Sequence, residues 1–115
     1  MRTIDINNKI TIDELKKMAD NMFGELVKAV VDIEKKVMIV DAELHSDQEK
    51  EFLKNGSDQN NLWGINLYPD EDSEDFIEFD SMINLRPSWG NRSRGVDNLE
   101  TQNTIKNIVK ILIYK

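Results

Sequence analysis

Three of the four arginines of this 115-residue chain lie within nine residues of one another. They belong to RPSWGNRSRGVDN, residues 86–98, which we call the arginine loop. Guanidinium groups form paired hydrogen bonds with phosphate or carboxylate, and glycines let backbone N–H groups approach a ligand. The loop therefore predicts an anion-binding site. Its candidate ligand-binding residues are Arg86, Ser88, Asn91, Arg92, Ser93 and Arg94.

The arginine loop also has a structural interpretation that needs no ligand. Seven acidic residues lie between Asp70 and Asp80, and the three arginines could neutralise them. Asp97 and Glu100 occupy the helix start that a bound anion would use. The loop contains neither G-x-x-x-x-G-K-[ST] nor G-x-G-x-x-G, so no nucleotide-binding fingerprint applies. Anion binding and internal pairing both stay open.

The only histidine, His45, is the first candidate for catalysis, together with Glu43 and Asp80. Because histidine titrates near neutral pH, it can serve as a general base or a metal ligand, although it can also cap the helix that follows it. Asp41 and Glu43 are weak metal candidates, since Mg²⁺ and Mn²⁺ prefer carboxylate oxygens. Alternating charges on an exposed strand also occur without metal. The sequence identifies no cofactor.

The first half of the chain predicts a helix, a hairpin and a second helix. The first helix covers about residues 12–23, with Thr11 as its cap and Gly24 as its stop. The Val- and Ile-rich segment ELVKAVVDIEKKVMIVDAELH predicts two strands, because the charged EKK separates its apolar runs. HSDQEKEFLKNG predicts a short helix with Ser46 or Asp47 as its cap and Gly56 as its stop.

The second half predicts another hairpin and a last helix. LWGINLY and FIEFDSMINLR are the expected strands, joined by the acidic loop PDEDSED, and the helix begins at Asp97. TIDI at residues 3–6 could extend the sheet. The expected fold is α+β, with a mainly antiparallel four-stranded sheet of two hairpins and about three helices packed on one face.

Alternation along the four strands places apolar side chains on one face and most polar side chains on the other. The polar set includes His45, Asp80 and Arg86. A solvated sheet face would have the same composition. If the hairpins are adjacent, His45 and the arginine loop share one end of the sheet and form an open polar pocket.

The overall composition limits the classes of protein. The chain is 39% hydrophobic and 32% charged, which fits one globular domain over residues 1–115. It has no cysteine, so disulfides and thiolate metal sites are excluded. Without an apolar leader or a membrane-spanning run, a cytoplasmic location is expected. A net charge of -7 disfavours extensive contact with nucleic acid or with anionic membranes.

Four runs together resemble a family of small prokaryotic proteins known only as a domain of unknown function. These are LVKAVVDI, ELHSDQE, LWGINLYP and FIEFDSMINLRPSWGNRSRGV, and the resemblance extends from about residue 10 to residue 110. It implies a small cytoplasmic domain and assigns no catalytic residue.

Three functional hypotheses follow from these residues. The first is a domain that binds a small anionic or phosphorylated ligand through the arginine loop. The second is a metal-assisted phosphoester hydrolase or nuclease that uses the carboxylates and His45 of the polar face. The third is a protein-interaction module or homodimer, since Trp89 in an exposed loop is typical of an interface anchor.

Overall fold

A computed structural model describes residues 1–72 and 74–115. Ser73, within the predicted acidic loop, lies outside the described residues. The three α-helices are α1 (Ile12–Asn21), α2 (His45–Lys54) and α3 (Leu99–Leu112). The strands are β1 (Arg2–Ile4), β2 (Ile10–Thr11), β3 (Val27–Asp32), β4 (Val37–Val40), β5 (Leu62–Leu67), β6 (Ile77–Glu78) and β7 (Ile113–Tyr114). None of these helices is long and apolar enough to cross a membrane.

Five strands form one antiparallel sheet in the order β1-β4-β3-β5-β6. The short strands β2 and β7 form a separate parallel pair. The predicted α+β class, with three helices and a mainly antiparallel sheet, is confirmed. The expected extension of the sheet near the N-terminus is also confirmed, as β1 makes a fifth strand.

The first hairpin, β3–β4, is confirmed, and a buried aspartate shapes its turn. Asp32 is 1% exposed, and its Oδ1 accepts hydrogen bonds from the backbone N–H groups of Glu34 and Lys35. Its Oδ2 accepts a hydrogen bond from the Ser57 hydroxyl at 2.7 Å. These bonds stabilise a turn at the charged EKK. The segment therefore forms a hairpin there and not one continuous helix.

The helices cover both faces of the sheet, so the prediction of one covered face is wrong. One core includes Leu15 of α1 and Ile105 of α3. A second core lies on the opposite face of the sheet. There Phe52 of α2 packs with Val30, Ile39 and Leu62. These three apolar side chains interrupt the otherwise polar parity, and α2 packs against them because they must leave water.

The predicted fourth strand is wrong beyond its first residues. β6 ends at Glu78, and Met82–Asn84 form a 3₁₀ helix instead. Ser81 packs closely against Gly64. A Cβ added to Gly64 would lie 2.6 Å from the Cβ of Ser81. Asn84 then bonds the backbone of Gly64 through both of its side-chain polar atoms, at 2.8 Å and 2.9 Å. One side chain thereby replaces a strand neighbour along this part of β5.

The helix starts differ in how well the sequence located them. Thr11 caps α1 as predicted, accepting a hydrogen bond from the N–H of Glu14. α2 begins at His45 rather than after Ser46 or Asp47. Asn98, not Asp97, caps α3, because the carboxylate of Asp97 is bonded within the arginine loop.

Candidate functional site

Two clefts contain half of the ten predicted site residues. The first, which we call the histidine cleft, has a volume of about 200 Å³. Its walls come from β3, β5, the start of α2, the segment after β6, and the arginine loop. They consist of Lys28, Leu44, His45, Ser46, Asn66, Asp80, Ser81, Met82, Ile83 and Arg94. A larger cleft of about 680 Å³ beside α3 contains none of the predicted site residues.

His45 is held in a fixed orientation at the base of the histidine cleft. It is 8% exposed, and its Nε2 lies 2.8 Å from the carbonyl oxygen of Ile65 in β5. Because a carbonyl can only accept, Nε2 carries the proton, and Nδ1 of the neutral ring keeps its lone pair. Burial lowers the pKa of His45 from its ordinary value of 6.5, against the opposing effect of the Ile65 hydrogen bond. The ring is therefore a neutral acceptor at neutral pH.

Two cations border the histidine cleft. Arg94 Nε lies 2.8 Å from Oδ1 of Asp80, and both side chains are partly exposed to solvent. The carbonyl oxygen of Arg94 accepts hydrogen bonds from Ser81 N and from the side chain of Asn84. These bonds fix the backbone from which the guanidinium extends. Lys28, on β3, supplies the second positive charge, which also lowers the pKa of His45.

The start of α2 adds a partial positive charge to the same cleft. Its N-cap, Leu44, has no side chain that can accept a hydrogen bond, and no side-chain cap bond is present among the described residues. The first N–H groups of a helix carry partial positive charge and bind anions. Nearby, Asn66 is 7% exposed, and its Oδ1 has no partner among the described residues, although its Nδ2 donates to Glu78.

The second cleft, which we call the tryptophan cleft, has a volume of about 270 Å³. It is lined by Asn60, Trp63, Arg86, Trp89 and Asn91. Arg86 is 8% exposed, and its Nη2 donates to the carbonyl of Leu62 at 2.7 Å and to Glu49 at 3.3 Å. Burial lowers the pKa of Arg86, and Glu49 opposes that shift. Arg86 stays charged, because a guanidinium is not deprotonated in proteins.

The arginine loop is shaped by two of its own polar side chains. Asn91 Nδ2 donates to three carbonyl oxygens, and its Oδ1 accepts a hydrogen bond from the N–H of Asp97. The carboxylate of Asp97 accepts hydrogen bonds from the Ser93 hydroxyl and the N–H of Arg92. The bond from Ser93 makes the largest contribution to lowering the pKa of Asp97. Asn91 and Asp97 thus hold the loop that presents the arginines.

The structure brings only some of the predicted site residues together. His45, Asp80 and Arg94 meet in the histidine cleft, whereas Arg86 and Asn91 border the tryptophan cleft. The others border neither cleft. These are Ser88, Arg92, Ser93, Asp41 and Glu43. Within residues 1–72 and 74–115, no three His, Asp or Glu side chains are grouped so as to hold a metal ion.

Several cleft residues were not among the predicted site residues. Lys28 and Asn66 belong to the polar strand parity, but parity alone does not separate a cleft wall from a solvated face. Trp63 packs against the core that includes Leu15 and Ile105, yet it also borders the tryptophan cleft. A usable signal was the presence of apolar Val30 and Ile39 on the otherwise polar face of the sheet. These side chains need a covering element, and α2, which covers them, places His45 over β5.

Comparison with known proteins yields a family but no function. No curated protein and no solved structure matches the chain. One family model, described as a protein of unknown function (DUF5674), matches residues 4–112. This match confirms the resemblance to a family of unknown function that the runs in β3, β5 and the arginine loop indicated. The chain therefore belongs to the DUF5674 family of proteins of unknown function.

Proposed function

We propose that the protein binds a small anionic or phosphorylated ligand in the histidine cleft. One observation carries the proposal: a chain of net charge -7 collects Lys28, Arg94 and an uncapped helix start around one small cleft. Asp80 is the only carboxylate that borders the cleft among the described residues. Positive charge therefore exceeds negative charge there, the reverse of the whole chain, and favours an anion.

The ion pair between Arg94 and Asp80 does not prevent such binding. Both side chains are about half exposed, and exposed pairs contribute only about 0–1 kcal/mol to stability. A guanidinium carries five N–H donors, more than one carboxylate can use. A ligand oxygen can therefore share Arg94 with Asp80, while the first N–H groups of α2 and the hydroxyl of Ser46 bind other oxygens.

Two acceptors in the cleft suggest what the rest of the ligand carries. Nδ1 of His45 has a lone pair, and Oδ1 of Asn66 has no hydrogen-bond donor among the described residues. Hydrogen phosphate has a single hydroxyl and can donate to only one of these acceptors. A phosphate monoester whose organic part carries hydroxyl groups can supply donors to both beside its anion, so we propose this ligand class. Asp41 and Glu43 lie outside the cleft, and for this reason we propose binding rather than metal-assisted hydrolysis.

The experiment uses His45 as a reporter, because it is the only histidine. Its pKa is measured by NMR titration with inorganic phosphate and with sodium chloride of equal ionic strength. An anion beside the ring favours the protonated form, so phosphate should raise the pKa of His45 above its value in chloride. Arg94→Gln should reduce this increase. Arg92→Gln is the matched control and should retain it, since Arg92 belongs to the same loop but borders neither cleft.

Two results would contradict the proposal. One is a pKa of His45 that millimolar phosphate leaves at its chloride value. The other is an equal increase in the parent and in Arg94→Gln, which would show binding elsewhere. A cytoplasmic location and a homodimer stay predictions.

A further inference from the structure

Arg86 borders the tryptophan cleft with most of its hydrogen-bonding capacity unused. Although the side chain is more than nine-tenths buried, its Nε and Nη1 have no acceptor among the described residues. The indole Nε1 of Trp63, on the same cleft, is also buried without an acceptor there. Buried donors are almost always paired, because desolvation without a hydrogen bond costs free energy. Three unpaired donors at one cleft therefore point to a ligand that supplies acceptors.

The charge of the tryptophan cleft differs from that of the histidine cleft. Among the residues that the structure describes, Arg86 is the only charged one that lines it, and Glu49 lies 3.3 Å from the guanidinium. The pair is nearly neutral, so a doubly charged phosphate would bring excess negative charge close to Glu49. A carboxylate carries one negative charge and two acceptor oxygens. It suits this cleft better than phosphate does.

The walls of the tryptophan cleft favour a planar ring. The guanidinium carbon of Arg86 lies 5.1 Å from the ring centroid of Trp63 and 5.5 Å from that of Trp89. Trp89 is 54% exposed, so much of its indole surface is available for stacking. The volume of about 270 Å³ is slightly below the range of about 300–1,000 Å³ typical of small-molecule sites, which limits the ligand to a small ring system.

The backbone holds Trp89 in place beside Arg86. Arg86 and Asn91 exchange two backbone hydrogen bonds, at 2.9 Å and 3.2 Å, across the 3₁₀ helix Pro87–Trp89. Gly90 follows with φ of 86°, a conformation that closes the turn at little cost only for glycine. A fixed loop loses less conformational entropy when a ligand binds.

We infer that the tryptophan cleft binds a small aromatic carboxylate. The carboxylate accepts hydrogen bonds from Arg86 and from the indole of Trp63, while the ring stacks against Trp89. This site is separate from the histidine cleft and does not depend on the function proposed for it.

The test is an NMR titration of the ¹⁵N-labelled protein with benzoate. The chain has two tryptophans, so each indole N–H signal is assigned by one substitution. Benzoate should shift the Trp63 indole N–H and the Arg86 Nε–H signals along one saturable curve. Cyclohexanecarboxylate has the charge without the planar ring, and benzamide has the ring without the charge. Both should bind more weakly than benzoate.

Two variants test whether the ring of Trp89 contributes to binding. Trp89→Ala should weaken benzoate binding by about threefold to tenfold, the amount expected from losing one aromatic contact. Ser88→Ala is the matched control, because Ser88 is exposed on the same turn and does not line the cleft. It should bind benzoate as the parent does. Because Trp89 is largely exposed, its removal tests the site without removing the buried Arg86.

Three outcomes would overturn the inference. The Trp63 and Arg86 signals could fail to respond to millimolar benzoate, Trp89→Ala could bind benzoate as tightly as Ser88→Ala does, or benzoate could shift His45 instead of the indole. Phosphate, in contrast, should shift His45 and leave both indole signals unchanged. Failure of one proposal is thus distinguishable from failure of the other.

Discussion

At the scale of single residues, the three clustered arginines have three different environments. Arg86 is buried against Glu49 and two indole rings. Arg94 is half exposed and pairs with Asp80, whereas Arg92 is exposed and forms no ion pair with a described residue. Of the internal pairing with residues 70–80 that the sequence allowed for the whole loop, the described residues show one ion pair, between Arg94 and Asp80, whereas Arg86 pairs with Glu49 of α2.

The structural importance of these arginines can be compared by substituting each with glutamine. Arg86→Gln should lower the free energy of unfolding by about 3–5 kcal/mol, because it leaves the carboxylate of Glu49 largely buried without its partner. Arg94→Gln should cost about 0–1 kcal/mol, as for other exposed pairs. Urea unfolding with Arg92→Gln as the control measures the difference. Equal losses for Arg86 and Arg94 would mean that the Arg86 pair is no more shielded from water than the Arg94 pair.

At the scale of elements, the segment after β6 shows why a strand pattern need not give a strand. Residues 76–86 alternate as a strand would, but Ser81 caps a 3₁₀ helix by accepting a hydrogen bond from Ile83 N. The amide side chain of Asn84 then pairs with both backbone groups of Gly64. The chain therefore departs from the sheet after β6, while the backbone of β5 at Gly64 stays hydrogen-bonded.

This arrangement predicts a specific role for Gly64. A Cβ at this position would lie 2.6 Å from both Cβ and Oγ of Ser81. Gly64→Ala should therefore destabilise the protein by about 1–3 kcal/mol, as overpacked cores do. The double variant Gly64→Ala/Ser81→Gly removes the closest contacts, so a double-mutant cycle from chemical unfolding should show favourable coupling. Additive losses would mean that Ser81 is not the obstacle.

Local signals predicted most elements but not their arrangement around the site. Thr11 with Glu14, and Gly24 after the last turn, were enough to locate α1. The position of His45 over β5 required knowing that α2 packs on the second face of the sheet, a long-range contact that short-range alternation does not encode. The pocket of His45, Asp80 and Arg94 was predicted conditionally, whereas the separate position of Arg86 was not predicted.

At the scale of the whole molecule, covering both faces of the sheet buries the only histidine. α2 shields Val30, Ile39 and Leu62 from water, and its first residue becomes part of the same buried layer. His45 is then bonded to β5 and lies near the charges of Lys28, Asp80 and Arg94. Protonation of this one side chain is therefore linked to the stability of the entire fold.

The stability of the fold should depend on pH through His45. The folded protein holds the pKa of His45 below the ordinary value of 6.5, so the unfolded chain binds this proton more readily. Stability from the neutral ring is therefore fully present above pH 6.5 and is lost as the pH falls towards the folded pKa. Carboxylates also titrate in acid, so the informative quantity is the difference between the parent and a variant without the imidazole.

His45→Gln provides that reference, because a glutamine amide can still donate to the Ile65 carbonyl but does not titrate. Urea unfolding of both proteins across this pH range should show that the parent loses more stability on acidification than the variant does. The variant lacks the imidazole whose pKa is lowered by folding, so its free energy of unfolding should depend less steeply on pH. Parallel curves would mean that His45 has the same pKa in the folded and unfolded chains, and that the buried neutral acceptor assigned to the histidine cleft is absent.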